Sequence, residues 1–433
     1  MDRAENKKSL LVASLVWIFR ILVGATFLVS GWSKSIDPWG FIYKIEEYFS
    51  VWGLVLPREI TLAFAMLLSV SEFVAGMLVA TGAMRRVSVW LAAAFMCFML
   101  PLTAYIAVAD PVSDCGCFGD FIVLSNYATL GKNIVLSAMI IYLLTCNDRV
   151  AGIFTLSVQW LVVAGAIAYS TALAFIGYRY QPLVDFRPYP VGSVLSASVD
   201  LSDIGEDSYI YPNTEDSYIY TKDGVEKSFG IDDLPDSTWT FVSAEIADVS
   251  EPAETLTVYD EDGFDVTDEV LDGVGDMLIL VVSDPGIRYL TKSRLANELY
   301  EHLTVNDSGR MVAFVAAEGD ALQSWRQLAL PEYPVYSVED TSLKELVRGD
   351  AALVWLHDGT ISWKRNLASV RFDALRSNRS DGGKLIGSED YSDGSTFHLW
   401  LTLSFIAWLI LVYVLKFPDK ILCRLIRHSA KNS

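Results

Sequence analysis

Asp110-Pro-Val-Ser-Asp114-Cys115-Gly116-Cys117-Phe118-Gly119-Asp120 is a short polar turn between two apolar runs, 87–108 and 130–146. Runs of that kind approach the ~20 residues that cross a bilayer, so the turn lies at the mouth of a membrane hairpin. The chain has 5 cysteines in 433 residues, and two of them stand here. Two thiols split by one glycine at a membrane face point to disulfide or thiol traffic rather than to packing.

Further apolar runs at 10–32, 60–80, 153–176 and 399–414 bring the expectation to about six transmembrane helices. The first follows Arg3, Lys7 and Lys8 and lacks a small-residue cleavage site, so it reads as a signal anchor. Basic residues mark the cytoplasmic side. They occupy the N-terminus, the turn with Arg85 and Arg86, the loop with Arg149, and the tail with Lys416, Lys420, Arg424, Arg427 and Lys431. With six spans these four segments share one side, which makes both termini cytoplasmic. The cysteine turn, the 34–58 loop and everything between the fifth and sixth runs then face the periplasm of a bacterial inner membrane, where disulfides persist. Cys97 lies ~27 Å deeper than the turn at 1.5 Å per residue, and Cys146 and Cys423 sit at cytoplasmic ends. All three read as apolar or interfacial filler.

The net charge of -20 contrasts with a hydrophobic share of 52%. The contrast disappears when the chain is divided, because about 41 of the 53 acidic residues, against about 16 basic ones, lie between Asp185 and Asp393. The expected organisation is a four-helix membrane domain at 1–152, a fifth transmembrane helix at 153–180 and an acidic β-rich segment at 181–262. An α/β domain follows at 263–395, then a sixth transmembrane helix with a basic tail at 396–433. An acidic soluble part argues against nucleic acid as a partner. His302, His357, His398 and His428 make no ligand pattern, so neither a metal site nor a resident cofactor is expected. The expected partners are the lipid bilayer and a periplasmic protein whose identity stays open.

The Cα atoms of residues i and i+2 lie ~5–7 Å apart, at the edge of the disulfide range. Gly116 removes a Cβ and eases the turn. Such a small ring is strained, hence readily reduced and a good oxidant. Two alternatives stand beside it: a reduced pair in which one thiol attacks a partner disulfide, and a static clip that stiffens the loop. Asp114 and Asp120 tend to raise both thiols, and Lys132 is the nearest compensating cation. Two charges fall deep in the membrane, Arg20 in the first run and Glu72 in the second. Counting from the outer ends gives them a matched depth of ~18 Å, which suggests an intramembrane ion pair that sets register. A contact to a quinone or a lipid ligand is the sharper option. Residues 41–49 alternate at helical spacing and read as an amphipathic helix roofing the bundle near the cysteines.

Ser30-Gly31-Trp32-Ser33-Lys34-Ser35-Ile36-Asp37-Pro38 closes the first run. Its S-G-x-x-K-x-x-D-P pattern, the first four spans and C-G-C-F-G together resemble the DoxX-like and methylamine-utilisation MauE families over residues of about 10–150. The resemblance implies a helical membrane protein that helps to mature a disulfide-rich periplasmic partner, with Cys115 and Cys117 as the exchanging pair. A large periplasmic domain and a sixth span depart from a minimal member.

In the acidic part, 206–211 and 215–220 both read Glu-Asp-Ser-Tyr-Ile-Tyr and suggest a hairpin, with a further strand at 239–243. Residues 263–368 follow a βαβαββ order. The strands are expected at 277–282, 311–316, an edge strand from 334–336, and a hairpin of 352–356 with 360–364. Helices are expected at 288–302, 321–328 and 341–347. The stretch from Val347 to Gly359 resembles the thioredoxin stretch V-R-G-x-P-T-L-x-x-F-x-x-G. Where thioredoxins have C-x-x-C this chain has Ser283-Asp284-Pro285-Gly286, and Ala351 replaces the cis-proline. The resemblance implies a thioredoxin-like periplasmic domain without its own thiol chemistry, suited to docking. The expected function is support of periplasmic thiol–disulfide chemistry or partner maturation; the alternative is a membrane scaffold whose cysteines are a clip.

Overall fold

The computed structural model describes residues 2–112, 114–182, 184–195, 217–222, 225–229, 240–245, 256–290, 292–305, 309–370 and 394–429. Two compact units emerge, one of residues 1–187 with 365–433 and one of 188–364.

The first unit is helical: α1 (Asp2–Ile36), α2 (Pro38–Val51), α3 (Arg58–Thr81), α4 (Arg85–Ala109), α5 (Asn126–Cys146), α6 (Gln159–Arg179) and, at the end of the chain, α12 (Gly394–Ser429). Among the described residues, six stretches are long and apolar enough to cross a membrane: Ser9–Ile36, Arg58–Thr81, Arg85–Ala109, Asn126–Arg149, Gln159–Arg179 and Phe397–Lys416. A helix satisfies its own backbone polar groups, which is what an apolar solvent demands. The helix ends have local causes. Asp37 accepts from Gly40 N at 3.0 Å and Pro38 starts α2, an N-cap followed by the one residue whose missing N–H costs nothing there. Gly82, at φ 65°, closes α3, the left-handed end that glycine adopts freely.

Small residues set the closest helix pair. A Cβ on Gly24 would lie 2.6 Å from Ala80, one on Gly31 would lie 2.4 Å from Phe73 N, and one on Gly76 would lie 2.5 Å from Leu28 N. α1 and α3 therefore meet backbone to backbone, as small-residue helix pairs do in membranes. Among the described residues the helical unit has four apolar clusters, two of them large. Val16, Val23, Phe27, Val79 and Leu136 lie in one, and Phe73, Leu78, Val162, Leu173 and Val412 lie in the other.

The second unit holds two sheets. β1 (Ser217–Lys222), β2 (Val225–Phe229) and β3 (Thr240–Glu245) form an antiparallel sheet in the order β2-β1-β3. The expected hairpin of 206–211 with 215–220 is corrected here. Residues 206–211 lie outside the described residues, and both edges of β1 are taken by β2 and β3.

The other sheet has six strands. They are β4 (Val258–Tyr259), β5 (Asp276–Val282), β6 (Arg310–Val315), β7 (Val335–Val338), β8 (Ala351–His357) and β9 (Thr360–Asn366), in the order β4-β7-β6-β5-β8-β9. β5 runs parallel to β6 and antiparallel to β8, and β6 runs parallel to β7. Five helices intervene: α7 (Thr267–Val270), α8 (Ile287–Leu290), α9 (Ser293–Val305), α10 (Gly319–Ala329) and α11 (Asp340–Leu346). Met277 to Val282 are all buried. Ile279 and Val281 join a core with Phe314, Leu343 and Val354, while Leu278 and Leu280 point to the opposite face. A sheet covered on both faces explains the unbroken apolar run of β5. The strand at 335–338 is not the expected edge, because Val258 and Tyr259 pair outside it, antiparallel. The expected helix at 288–302 is two helices, α8 and α9.

Candidate functional site

The turn between α4 and α5 is held from several sides. Asn126 opens α5 and donates to Asp110 Oδ1 at 2.8 Å and to the Val112 carbonyl at 3.0 Å, tying the two ends together. Asp114 Oδ1 accepts from Gly116 N at 2.9 Å, and Gly119 N donates to the Gly116 carbonyl at 3.2 Å. Gly116 has a φ of 65°, and a Cβ there would lie 2.7 Å from Cγ of Lys44. The position needs glycine for both conformation and space.

α2 covers the turn. The Tyr48 hydroxyl donates to the Cys115 carbonyl at 2.8 Å. Burial, followed by the neighbouring Cys115, pushes that hydroxyl far up. Lys44 pairs with Glu47 at 2.8 Å and with Asp114 at 3.3 Å. Burial opposes the Lys44 charge, but these two carboxylates outweigh it and raise its pKa. Asp114 therefore presents a neutralised face to the thiols rather than the free negative charge expected from sequence.

Inside the turn, Cys115 Sγ and Cys117 Sγ are free thiols 3.0 Å apart. The contact divides them electrostatically. The hydrogen bond from Cys115, helped by Lys132 and Lys34, holds Cys117 down at about 6 despite its burial. The same contact, then burial, pushes the Cys115 thiol up. A hydrogen bond to the charged form favours that form, so the contact favours a Cys117 thiolate accepting from a Cys115 thiol.

Cys117 opens onto a cavity of ≈ 30 Å³ shared with Thr26, Ser30, Glu72, Lys132 and Asn133. That is space for a water molecule among polar partners. The Lys132 ammonium lies 4.3 Å from the centre of the Phe118 ring. Lys34 and Glu72 form an ion pair at 2.7 Å, with the lysine side chain 2% exposed. Lys34 also donates to Ser30 Oγ at 3.2 Å. The Ser30 hydroxyl reaches Glu72 Oε1 at 2.8 Å and the Cys117 carbonyl. With one proton, it donates to one of these two acceptors at a time.

The expected Arg20–Glu72 pair is corrected. Arg20 donates to Asn147 Oδ1 at 2.6 Å, and to the carbonyls of Asn147 at 2.8 Å, Val150 at 2.9 Å and Ala151 at 3.3 Å. The approaches of Gly24 to Ala80, Leu28 to Gly76 and Gly31 to Phe73 fix the antiparallel register. In that register Glu72 faces the level of Trp32, about 12 residues or ~18 Å along α1 from Arg20. The depth count failed because the two helices do not end level: in this register Ile36, the end of α1, lies opposite Leu68, so α3 extends about ten residues beyond it.

The structure thus joins Cys115, Gly116, Cys117 and Lys132 at one place, adds Glu72, and puts Arg20 elsewhere. Sequence reasoning missed Ser30, Lys34, Lys44 and Tyr48 as site residues. The usable signal was Ser30 and Lys34 at i, i+4, on one face of an apolar helix. Cys97 is exposed and Cys146 half-buried, and neither belongs to the site. No group of metal-binding side chains occurs among the described residues.

Residues 12–146 match the family model of methylamine utilisation protein MauE. The MauE match runs from α1 through α5 and contains the whole thiol site. Residues 214–247 match a domain of unknown function, DUF8463, which coincides with the three-stranded sheet. No curated protein matches the chain.

Proposed function

We propose that this multi-pass membrane protein carries out thiol–disulfide exchange through Cys115 and Cys117, in the service of a partner's disulfide maturation. The MauE match supplies methylamine utilisation as the context. The observation that carries the reading is the thiol pair itself: two sulfurs 3.0 Å apart, with Cys117 opening onto a cavity lined by Ser30, Glu72 and Lys132. A static clip needs no polar cavity with a lysine and a carboxylate beside one sulfur.

The Cys117 thiolate attacks one sulfur of a partner disulfide and releases the other as a thiolate. A mixed disulfide joins Cys117 to the partner. Cys115 then attacks the Cys117 sulfur and expels the second partner sulfur, which takes the Cys115 proton. Two electrons pass to the partner and the Cys115–Cys117 disulfide forms; the same steps in reverse oxidise a partner dithiol. The basic segments at the N-terminus, at Arg85 and Arg86, at Arg149 and after Lys416 support an orientation with the cysteines outside the cytoplasm.

The six-stranded unit supports a thioredoxin-like reading through its parallel β7-β6-β5 order followed by antiparallel β8. Ser283 N and Asp284 N donate to the Asp350 carbonyl at 3.1 and 3.2 Å, which puts the C-x-x-C-like position beside Ala351. With no cysteine between Asp185 and Asp393, this unit serves as a docking module and leaves the chemistry to the bundle.

Thiol trapping in membranes tests the reading. The pair should shift between reduced and oxidised forms with the redox poise of the medium. Cys115→Ser should accumulate a mixed disulfide on Cys117, and Cys117→Ser should accumulate none. A pair that stays oxidised under mild reductant, or equal trapping by both variants, refutes exchange and leaves a structural clip.

A further inference from the structure

An ion pair buried in a membrane bundle needs a reason. Taking both charges out of water is costly, and a well-packed apolar pair of the same volume serves stability as well or better. Lys34 and Glu72 are nevertheless 2% and 10% exposed at their side chains, and they contact each other at 2.7 Å. Their position separates them from a register device such as Arg20. Ser30 touches both of them and also the carbonyl of Cys117, and Glu72, Ser30 and Cys117 line one cavity. The Phe41 ring covers the Lys34 ammonium at 4.9 Å, so the cation is held between the roof helix and the carboxylate.

We propose that the Lys34–Glu72 pair, clamped by Ser30 beneath the turn, is the positioning element of the dithiol: the Lys34 ammonium favours the Cys117 thiolate, and Glu72 limits that preference. This deepens the exchange reading by assigning the groups that set which thiol attacks. The charged and titratable groups around the thiol pair are Lys34 on α1, Lys44 and Tyr48 on α2, Glu72 on α3, Lys132 on α5, and Cys115 and Asp114 in the turn itself. α4 contributes only the apolar Phe95, Met96 and Met99 to the cavity. Lys44 is already committed to Glu47 and Asp114, and Lys132 on α5 lies over Phe118 and lines the cavity with Cys117. Lys34 is the cation directly paired with a carboxylate of the cavity, so the field it exerts on Cys117 is set by that pair. The fields on Cys117 have these signs: Lys132 and Lys34 lower its pKa and Glu72 raises it.

The test is the pH dependence of iodoacetamide alkylation of Cys117 in the full-length reduced protein, with Cys97, Cys146 and Cys423 replaced by alanine. Removing an adjacent cation should move the midpoint upward by about one unit in Lys34→Met. Glu72→Gln should move it downward, and Lys34→Arg should restore the native value. Loss of packing would shift both variants the same way, so opposite signs carry the proposal. The double variant Lys34→Met/Glu72→Gln leaves no unpaired buried charge, and its midpoint should lie above that of Glu72→Gln. Shifts of one sign in both single variants, or a double variant no higher than Glu72→Gln, overturn it. Alkylation needs no exchange partner, so this outcome is independent of whether the exchange reading itself holds.

Discussion

Replacing Cys115 by alanine should raise the Cys117 midpoint, while replacing it by serine should largely preserve it. The hydrogen bond from the Cys115 thiol is the leading cause of the low Cys117 value of about 6, and a serine hydroxyl can still donate where alanine cannot. The size of the effect follows from two opposing terms. At pH 7 a thiol with a pKa near 6 is about 90% ionised, whereas one near the ordinary 8.5 is about 3% ionised, a ratio of roughly 30. A less acidic thiolate is a better nucleophile. With a Brønsted coefficient of about 0.45, a rise of ~2.5 units raises intrinsic reactivity roughly tenfold. The net loss of rate at pH 7 is therefore only about threefold, and a single-pH assay would understate the change. The whole pH–rate profile is the measurement, taken with a small aromatic disulfide whose leaving thiolate is coloured. The background lacks Cys97, Cys146 and Cys423. Cys115→Ala should react with a midpoint near 8 or higher and overtake Cys115→Ser at alkaline pH. Coincident profiles for the two variants would refute the hydrogen bond as the origin of the thiolate.

Gly116→Ala should destabilise the turn by about 1–3 kcal/mol, since a non-glycine residue at φ 65° is strained and its Cβ meets Lys44 at 2.7 Å; a lower thermal midpoint in detergent and slower disulfide closure check it. Arg20→Leu and Glu72→Leu should each destabilise the bundle, and their losses should add in the double variant. The two residues have separate partners about 18 Å apart, and distant sites behave independently. Recovery in the double variant would revive the pair expected from sequence.

Much of the bundle was legible because its signal is local. Six apolar runs, their basic flanks and the cysteine turn can be read without any long-range contact, since a membrane segment needs only length and apolarity. The α/β order of 276–366 was legible for the same reason, through unbroken apolar runs alternating with amphipathic ones. Errors arose where pairing between distant segments mattered. The dipeptide Val258–Tyr259 is too short to announce itself as a strand, yet it caps β7 and removes its edge. The repeated Glu-Asp-Ser-Tyr-Ile-Tyr motif suggested a hairpin, but β1 takes its partners from the residues that follow.

By itself, the sequence determined that this protein crosses a membrane, where its thiols stand, and that no cysteine in its acidic part can share their chemistry. Those conclusions rest on composition and spacing, which the chain carries without folding. Tertiary structure decided the partners. Whether Arg20 or Lys34 meets Glu72 depends on the register of α1 against α3, and Gly24, Gly31 and Gly76 set that register through backbone contacts about 50 residues apart in sequence. Which cysteine favours the charge depends first on the contact between the two thiols and then on cations drawn from α5 and α1, helices that only the packed bundle brings near them. Electrostatic fields act over ångströms in space rather than positions in sequence, and for that reason the thiols were visible early and their inequality only in the fold.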